Sequence, residues 1–310
     1  MNVATLTVNP AIDETVYLPE LKRGHVHRAQ RVRFNAGGKG INVAACLADF
    51  GVKTAVTGFL GKDNIAIFEA LFKSRHIEDH FIRRAGETRT NIKIVDESET
   101  TDINLQGLSP SAQEIEKLQH NVDQLLLSGV LMVMSGSLLP KMPASFYAGE
   151  VKRAKNGAKI IVDCSGEALA ELLKAEKLPL AIKPNIDELS QYCGHPLKDE
   201  NEVLTVARSL IARGMQLVTV SLGAKGAIFV SKEQAFHASL PVRDVESTVG
   251  AGDAMVAGIA SAVCENAPLE RIARLATAFA VGKLASLGPA LPDKATIEHL
   301  AQKVECRVVG

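Results

Sequence analysis

Short apolar, β-branched runs recur along the chain, and most are followed by stretches with the three-to-four residue spacing of a helix. Val3–Val8 is the first such run and ends at Asn9-Pro10; its lack of alternation predicts a strand covered on both faces. Lys53–Phe59 repeats the pattern, with Asp63 as expected N-cap of a helix running to about Lys73. Four other segments alternate polar and apolar positions: Thr15–Leu18, Arg28–Phe34, Thr88–Asp96 and Thr100–Leu105. The last two flank the acidic turn Glu97-Ser98-Glu99. Alternation predicts strands with one covered face, and the four together predict a flap beside the main sheet.

From Ser111 onward strands and helices alternate regularly. Helices are expected at Ala112–Leu127, Ala144–Lys155, near Ala168 and at Glu202–Arg213. Strands are expected at Val130–Met134, Lys159–Val162, Leu180–Ile182 and Leu217–Ser221. Two amphipathic helices, Leu269–Leu287 and Ala295–Lys303, follow near the end. This alternation predicts an α/β fold whose mostly parallel sheet carries helices on both faces. Asp13, Ser137, Asp163, Asn185 and Ser221 all fall near the carboxyl ends of strands, the edge where such sheets bind ligands.

Composition narrows the function classes. The 310 residues are 46% hydrophobic, enough for a full core, and 35 Lys and Arg balance 35 Asp and Glu. Zero net charge without a dominant basic stretch speaks against a nucleic-acid partner or an anionic membrane surface. MNVATLTVNP does not read as a signal peptide, and no apolar stretch is long enough to span a bilayer. Five scattered cysteines without a C-x-x-C pair read as thiols of a reducing cytoplasm, with no zinc site implied.

Val245–Gly258 carries the strongest chemical signal. A β-branched run meets the turn Gly250-Ala251-Gly252, and the turn opens an apolar helix with Asp253 in its first turn. Uncovered backbone N–H groups at a helix start make an anion site. A fixed carboxylate beside such a site suits phosphoryl transfer to a hydroxyl, where a base takes the proton and the anion hole holds the charge. A plain strand-to-helix turn remains equally compatible with this stretch alone. A dinucleotide fingerprint fails at Met255, and a Walker A loop ending at Gly38-Lys39 fails at Arg33 and Gly40.

Other segments add weaker signals. Asn35-Ala36-Gly37-Gly38-Lys39-Gly40 opens the helix Ile41–Phe50, with Asn42 in its first turn. Asn185 and Glu188 stand three apart. They suit either Mg²⁺ with its waters or a capping box at a helix start. Ser221–Ala227 is a glycine turn between strands, able to wrap phosphates or simply to join a hairpin.

Taken together, Asn35–Asn42, Gly136-Ser137-Leu-Leu-Pro140, Lys183–Glu188, Ser221–Ala227 and Thr248–Asp253 resemble the ordered signatures of the ribokinase-like (phosphofructokinase B) sugar kinases. The resemblance covers almost the whole chain. It implies a single three-layer α/β/α kinase domain, residues 1–310, with a β-sheet lid inserted at about 12–35 and 88–106. It implies ATP-dependent phosphorylation of a ketose phosphate: fructose 1-phosphate first, with tagatose 6-phosphate and fructose 6-phosphate as alternatives and a non-catalytic sugar-phosphate sensor as a remote one. Asp253 would be the base, with Thr248 and the Gly250-Ala251-Gly252 backbone around the transferred charge. Asp13, Gly37, Gly38 and Asn42 would hold the sugar, and Arg89 and Ser137, with Lys39, its phosphate end. Lys183, Asn185, Ser221, Gly223 and Gly226 would line ATP, and Asn185 and Glu188 would organise Mg²⁺ through water. A homodimer through the lids would bring Arg28 to a neighbour's site. Leu139 stands where proline is usual and Lys141 where glycine often follows.

Overall fold

The computed structural model describes residues 2–155, 157–242, 249–286 and 290–310. The first half contains β1 (Val3–Thr7), β2 (Ala11–Tyr17), β3 (Arg31–Gly37), α1 (Lys39–Asp49), β4 (Thr54–Gly61), α2 (Ala66–Ser74), β5 (Glu78–Arg84), β6 (Thr90–Val95), β7 (Thr100–Ile103), α3 (Ala112–Leu127), β8 (Leu131–Ser135) and α4 (Phe146–Arg153). The second half contains β9 (Ile160–Asp163), α5 (Gly166–Lys174), β10 (Ala181–Ile182), α6 (Ile186–Cys193), α7 (Glu200–Ala212), β11 (Leu217–Ser221), β12 (Ala227–Val230), β13 (Ala235–Ser239), α8 (Ala251–Cys264), α9 (Leu269–Leu284), α10 (Lys294–Lys303) and β14 (Glu305–Val308).

Ten strands form the main sheet in the order β14-β13-β12-β11-β10-β9-β8-β1-β4-β5. From β11 to β5 neighbours run parallel, and β12, β13 and β14 close the other edge antiparallel. Successive residues of a strand face opposite sides, and here both sides are buried. Ala4, Leu6, Met132 and Met134 pack toward α3–α7, while Val3, Leu131 and Val133 pack toward α1, α8, α9 and α10. Two-sided burial explains the unbroken apolar runs. The expected three-layer architecture is therefore present.

The alternating segments form a separate four-stranded sheet, β3-β2-β6-β7, the expected flap. Register sets Asp13 opposite Asn35 and Asn91 on one face. The other face carries Val16, Val32, Phe34, Ile92 and Ile103, of which Phe34 is 56% exposed.

Three features depart from the sequence reading. The strand β5, EDHFIRR, lies at the sheet edge, where one flank needs no apolar cover, so its charges hid it. The antiparallel strands β13 and β14 were hidden because each is short, five and four residues. Asp63 does not cap α2, whose N-cap position is Ile65 without a side-chain bond; the Asp63 N–H instead meets Gly86 O at 3.2 Å.

The candidate active site

Two helix starts meet at the carboxyl edge of the main sheet. The first is α1. Its N-cap Gly38 has φ 113°, a left-handed value that disfavours side chains. A Cβ there would press on Pro10 and Thr7 at 3.0 Å. The glycines thus let the helix start close on β1, and Thr5 Oγ1 donates to Gly40 O at 2.8 Å. The second is α8, whose N-cap Gly250 has φ 78°. Every residue of α8 from Asp253 to Ala262 is buried. A Cβ on Gly258 would come within 2.6 Å of Ala276 Cα, so α8 sits close against α9.

Asp253 is carried into the interior by this apolar helix and is only 7% exposed. Asn42, one turn into α1, donates Nδ2 to Asp253 Oδ2 at 2.8 Å, which fixes the carboxylate's orientation. Burial, reinforced by the Asp163 charge, lifts Asp253 to a pKa of about 6, against the pull of Lys39, Asn42 and Lys183. A carboxyl raised this far is mostly ionised at neutral pH and still basic enough to accept a proton.

Asp163, at the end of β9, is 1% exposed. Lys39 Nζ stands 3.1 Å from its Oδ2 and Lys183 Nζ 3.4 Å from its Oδ1. Burial alone would raise this carboxyl, but the two ammonium groups hold it below the usual range. Partial burial would lower the Lys39 ammonium, but Asp163 and Asp253 hold it above its ordinary value. Lys183 Nζ also lies 3.6 Å from where a Gly252 side chain would begin, so a buried cation underlies the anion turn. The side chain of Lys283 reaches the same turn, its Cε 3.2 Å from a Gly250 Cβ position.

The strand-end loops bring up the next group. Asn185 caps α6: its Oδ1 accepts the Glu188 N–H at 2.7 Å, and Glu188 Oε2 accepts the Asn185 N–H at 2.8 Å. Here the capping-box reading is realised in full. Glu188 commits one of its two carboxylate oxygens to this box. Ser221 lies beside Asn185 through an isolated bridge, and the Ser221 N–H meets Pro184 O at 3.0 Å. The next turn is a single 3-10 turn, Gly223–Lys225. Gly223 has φ 62° and open space around it, whereas a side chain on Gly226 would collide with Ala238 O. Thr248 lies outside the described residues, as does 245–247 of the expected stretch.

The lid forms the remaining wall. Asp13 accepts from Asn91 Nδ2 at 3.3 Å, and a side chain on Gly37 would collide with its carboxylate. Burial raises the Asp13 carboxyl, with Asn91, Lys93 and Arg89 opposing. Arg89 donates to three main-chain carbonyls, Leu105 O at 2.7 Å, Asn9 O at 3.2 Å and Pro10 O at 3.3 Å. Ser137 Oγ accepts from Asn9 Nδ2 at 3.1 Å. Its neighbour Gly136 is anchored by Tyr147 Oη at 3.0 Å. Arg28 is exposed on the lid loop between β2 and β3.

The structure thus bonds Asn42 to Asp253 and both Lys39 and Lys183 to Asp163, with the two lysines in electrostatic reach of Asp253, and groups Asp13, Arg89 and Ser137 separately around β2 and Asn9. Asp163 was visible only as a strand-end polar residue, and its two lysine partners come from distant segments. Asn9 was given no role of its own by the sequence.

Over residues 6–295 the chain matches the model for pfkB family carbohydrate kinases. The chain belongs to the pfkB family. It is 47% identical over 292 residues to the 1-phosphofructokinase of Xanthomonas campestris pv. campestris, covering 92% of each. It is 40% identical over 313 residues to that of Rhodobacter capsulatus, covering 100% of this chain and 98% of the relative. The structure of Escherichia coli phosphofructokinase-2 in complex with fructose-6-phosphate matches with a TM-score of 0.86 at 26% identity, covering 97% of this chain and 98% of that one. For a pfkB kinase, the large parallel sheet and small separate sheet are the shared architecture. The chain is accordingly a sugar-phosphate kinase with ATP as co-substrate.

Proposed function

We propose that this kinase transfers the γ-phosphoryl group of ATP to the 6-hydroxyl of fructose 1-phosphate, giving fructose 1,6-bisphosphate. The observation that carries the reading is Asp253: a buried carboxyl with a pKa of about 6, oriented by Asn42 at a helix start. Relatives at 40% and 47% identity named 1-phosphofructokinase support the substrate.

In this reading Asp253 takes the 6-hydroxyl proton as that oxygen attacks the γ-phosphorus in line. The Gly250-Ala251-Gly252 N–H groups would stabilise the charge on the transferring group, together with Thr248, which the family resemblance assigns there. Asp13, Gly37, Gly38 and Asn42 hold the sugar, and Arg89 and Ser137 meet its phosphate. Lys183, Asn185, Ser221, Gly223 and Gly226 line ATP. Lys39, assigned with Arg89 and Ser137 to the sugar's phosphate end, is paired with Asp163 and within electrostatic reach of Asp253.

Mg²⁺ fits the donor set. Among the described residues no group of three His, Cys, Asp or Glu is placed to hold a metal ion. Mg²⁺ carried on nucleotide phosphates needs only one or two carboxylates and its own waters, and Glu188 supplies one. Bound there, it neutralises charge on the phosphates.

The outward lid face, with Val32, Phe34 and Ile103 exposed, fits a homodimer through the lids that would carry Arg28 to a neighbour's site. Five free cysteines and no described helix long and apolar enough to cross a membrane suit a cytoplasmic enzyme. We take residues 1–310 as one kinase domain with its lid.

ADP release with Mg-ATP is the test. Fructose 1-phosphate should give the highest kcat/KM against fructose 6-phosphate and tagatose 6-phosphate. Preference for a 6-phosphate would reassign the substrate, and turnover of none would favour a sensor.

A further inference from the structure

Asn9 is a small buried residue at the junction of core and lid, and its bonds are unusually directional. Nδ2 donates to Ser137 Oγ at 3.1 Å and to Leu138 O at 3.3 Å. The Leu138 carbonyl is an acceptor only, so the amide nitrogen must face this side. The opposite atom, Oδ1, is buried without a hydrogen-bond partner and abuts Gly107, where a Cβ would lie only 2.6 Å away. Leaving a buried acceptor unpaired costs about 1–3 kcal/mol, so the orientation is maintained at a stability cost. The main-chain carbonyl of Asn9 also accepts from Arg89 Nη2 at 3.2 Å.

One consequence is chemical. A serine hydroxyl has one proton and two lone pairs. With one lone pair taken by an Asn9 N–H, and Asn9 Nδ2 unable to accept, the Ser137 proton must point elsewhere. Ser137 is thereby presented as a donor, the polarity a phosphate oxygen requires. Arg89, held through the Asn9 carbonyl, is a second donor on the same junction.

We propose that Asn9 is a positioning residue for substrate-phosphate recognition: it fixes Ser137 as a donor and aligns Arg89, so that a phosphorylated ketose is chosen over an unphosphorylated one. This rests on the placement of the substrate's phosphate at Arg89 and Ser137.

A double-mutant cycle in the full-length enzyme tests it. In the wild-type background, Ser137→Ala should raise KM for fructose 1-phosphate by about tenfold, the scale of a lost charge-assisted hydrogen bond. In an Asn9→Leu background the same change should cost no more than about twofold, because the hydroxyl is no longer aimed. Asn9→Leu should leave KM for ATP unchanged, and its effect should be absent with unphosphorylated fructose as acceptor. Asn9→Asp, nearly isosteric, covers the case in which the leucine variant misfolds. Its carboxylate accepts from Ser137 and reverses the bond, so KM for fructose 1-phosphate should rise more than for ATP. Additive effects of Asn9 and Ser137, or equal loss with phosphorylated and unphosphorylated sugar, would overturn the assignment while leaving the kinase activity in place. Wild-type enzyme that turns over no ketose phosphate would overturn the functional reading and this one with it.

Discussion

The carboxyl edge of the ten-stranded sheet and the four-stranded lid handle charge in opposite ways. At the sheet edge, Asp163 is buried between Lys39 and Lys183, and Asp253 is buried against Asn42. The charged groups there hold one another in place. In the lid, Arg89 leans on main-chain carbonyls, and the outer face leaves Phe34 56% exposed. The edge is therefore built by the chain's own packing, whereas the lid has an apolar face that packing within the chain leaves open. The difference separates chemistry, fixed by the fold, from recognition, completed by what arrives.

The largest test of that contrast removes the proposed base. Asp253→Asn should lower kcat by about 10²- to 10⁴-fold with little change in KM for sugar phosphate. Next in size, Asp163→Asn should destabilise the fold by about 3 kcal/mol in urea unfolding, because it strands the ammonium of Lys183 in the interior; half-exposed Lys39 can turn to water. A negligible change would mean that the buried triad is not what orders the edge.

An effect of similar size runs the other way. Burial raises the Asp253 carboxyl from 3.8 to about 6, so the folded state binds a proton more tightly than the unfolded chain does. Such a group costs stability as pH rises from about 4 to 6, fully so above that. Asp253→Asn should therefore stabilise the protein by up to about 3 kcal/mol at pH 7, with most of the gain gone near pH 4. Thermal unfolding at both pH values checks the sign. Smallest in stability is the lid: Phe34→Asp should shift core unfolding by less than about 0.5 kcal/mol yet turn dimers into monomers in sedimentation. Unchanged sedimentation would remove the lid face as an interface.

Legibility in the sequence followed the same division. The parallel strands were readable because both faces are buried, and α3, expected over Ala112–Leu127, starts where Ser111 and Glu114 form a capping box. The lid strands were readable from alternation. The edge strand β5 was not, since solvent on one flank permits EDHFIRR. Gly250 and Asp253 could be singled out because a glycine turn and a first-turn carboxylate are local features. Asp163 and Asn9 could not be assigned roles, since their partners lie 124 and 128 residues away in sequence. Lys141, noted where glycine often stands, has φ 67°, a left-handed value in which a lysine is strained.

The pH dependence of kcat/KM for the phosphoryl acceptor, measured at saturating Mg-ATP, tests the central claim most directly. Asp253 acting as base from a buried position predicts a rate that falls with unit slope below about pH 6, and a residual Asp253→Asn rate with no such inflection. A wild-type profile flat to pH 4.5, or the same inflection surviving in Asp253→Asn, would contradict it.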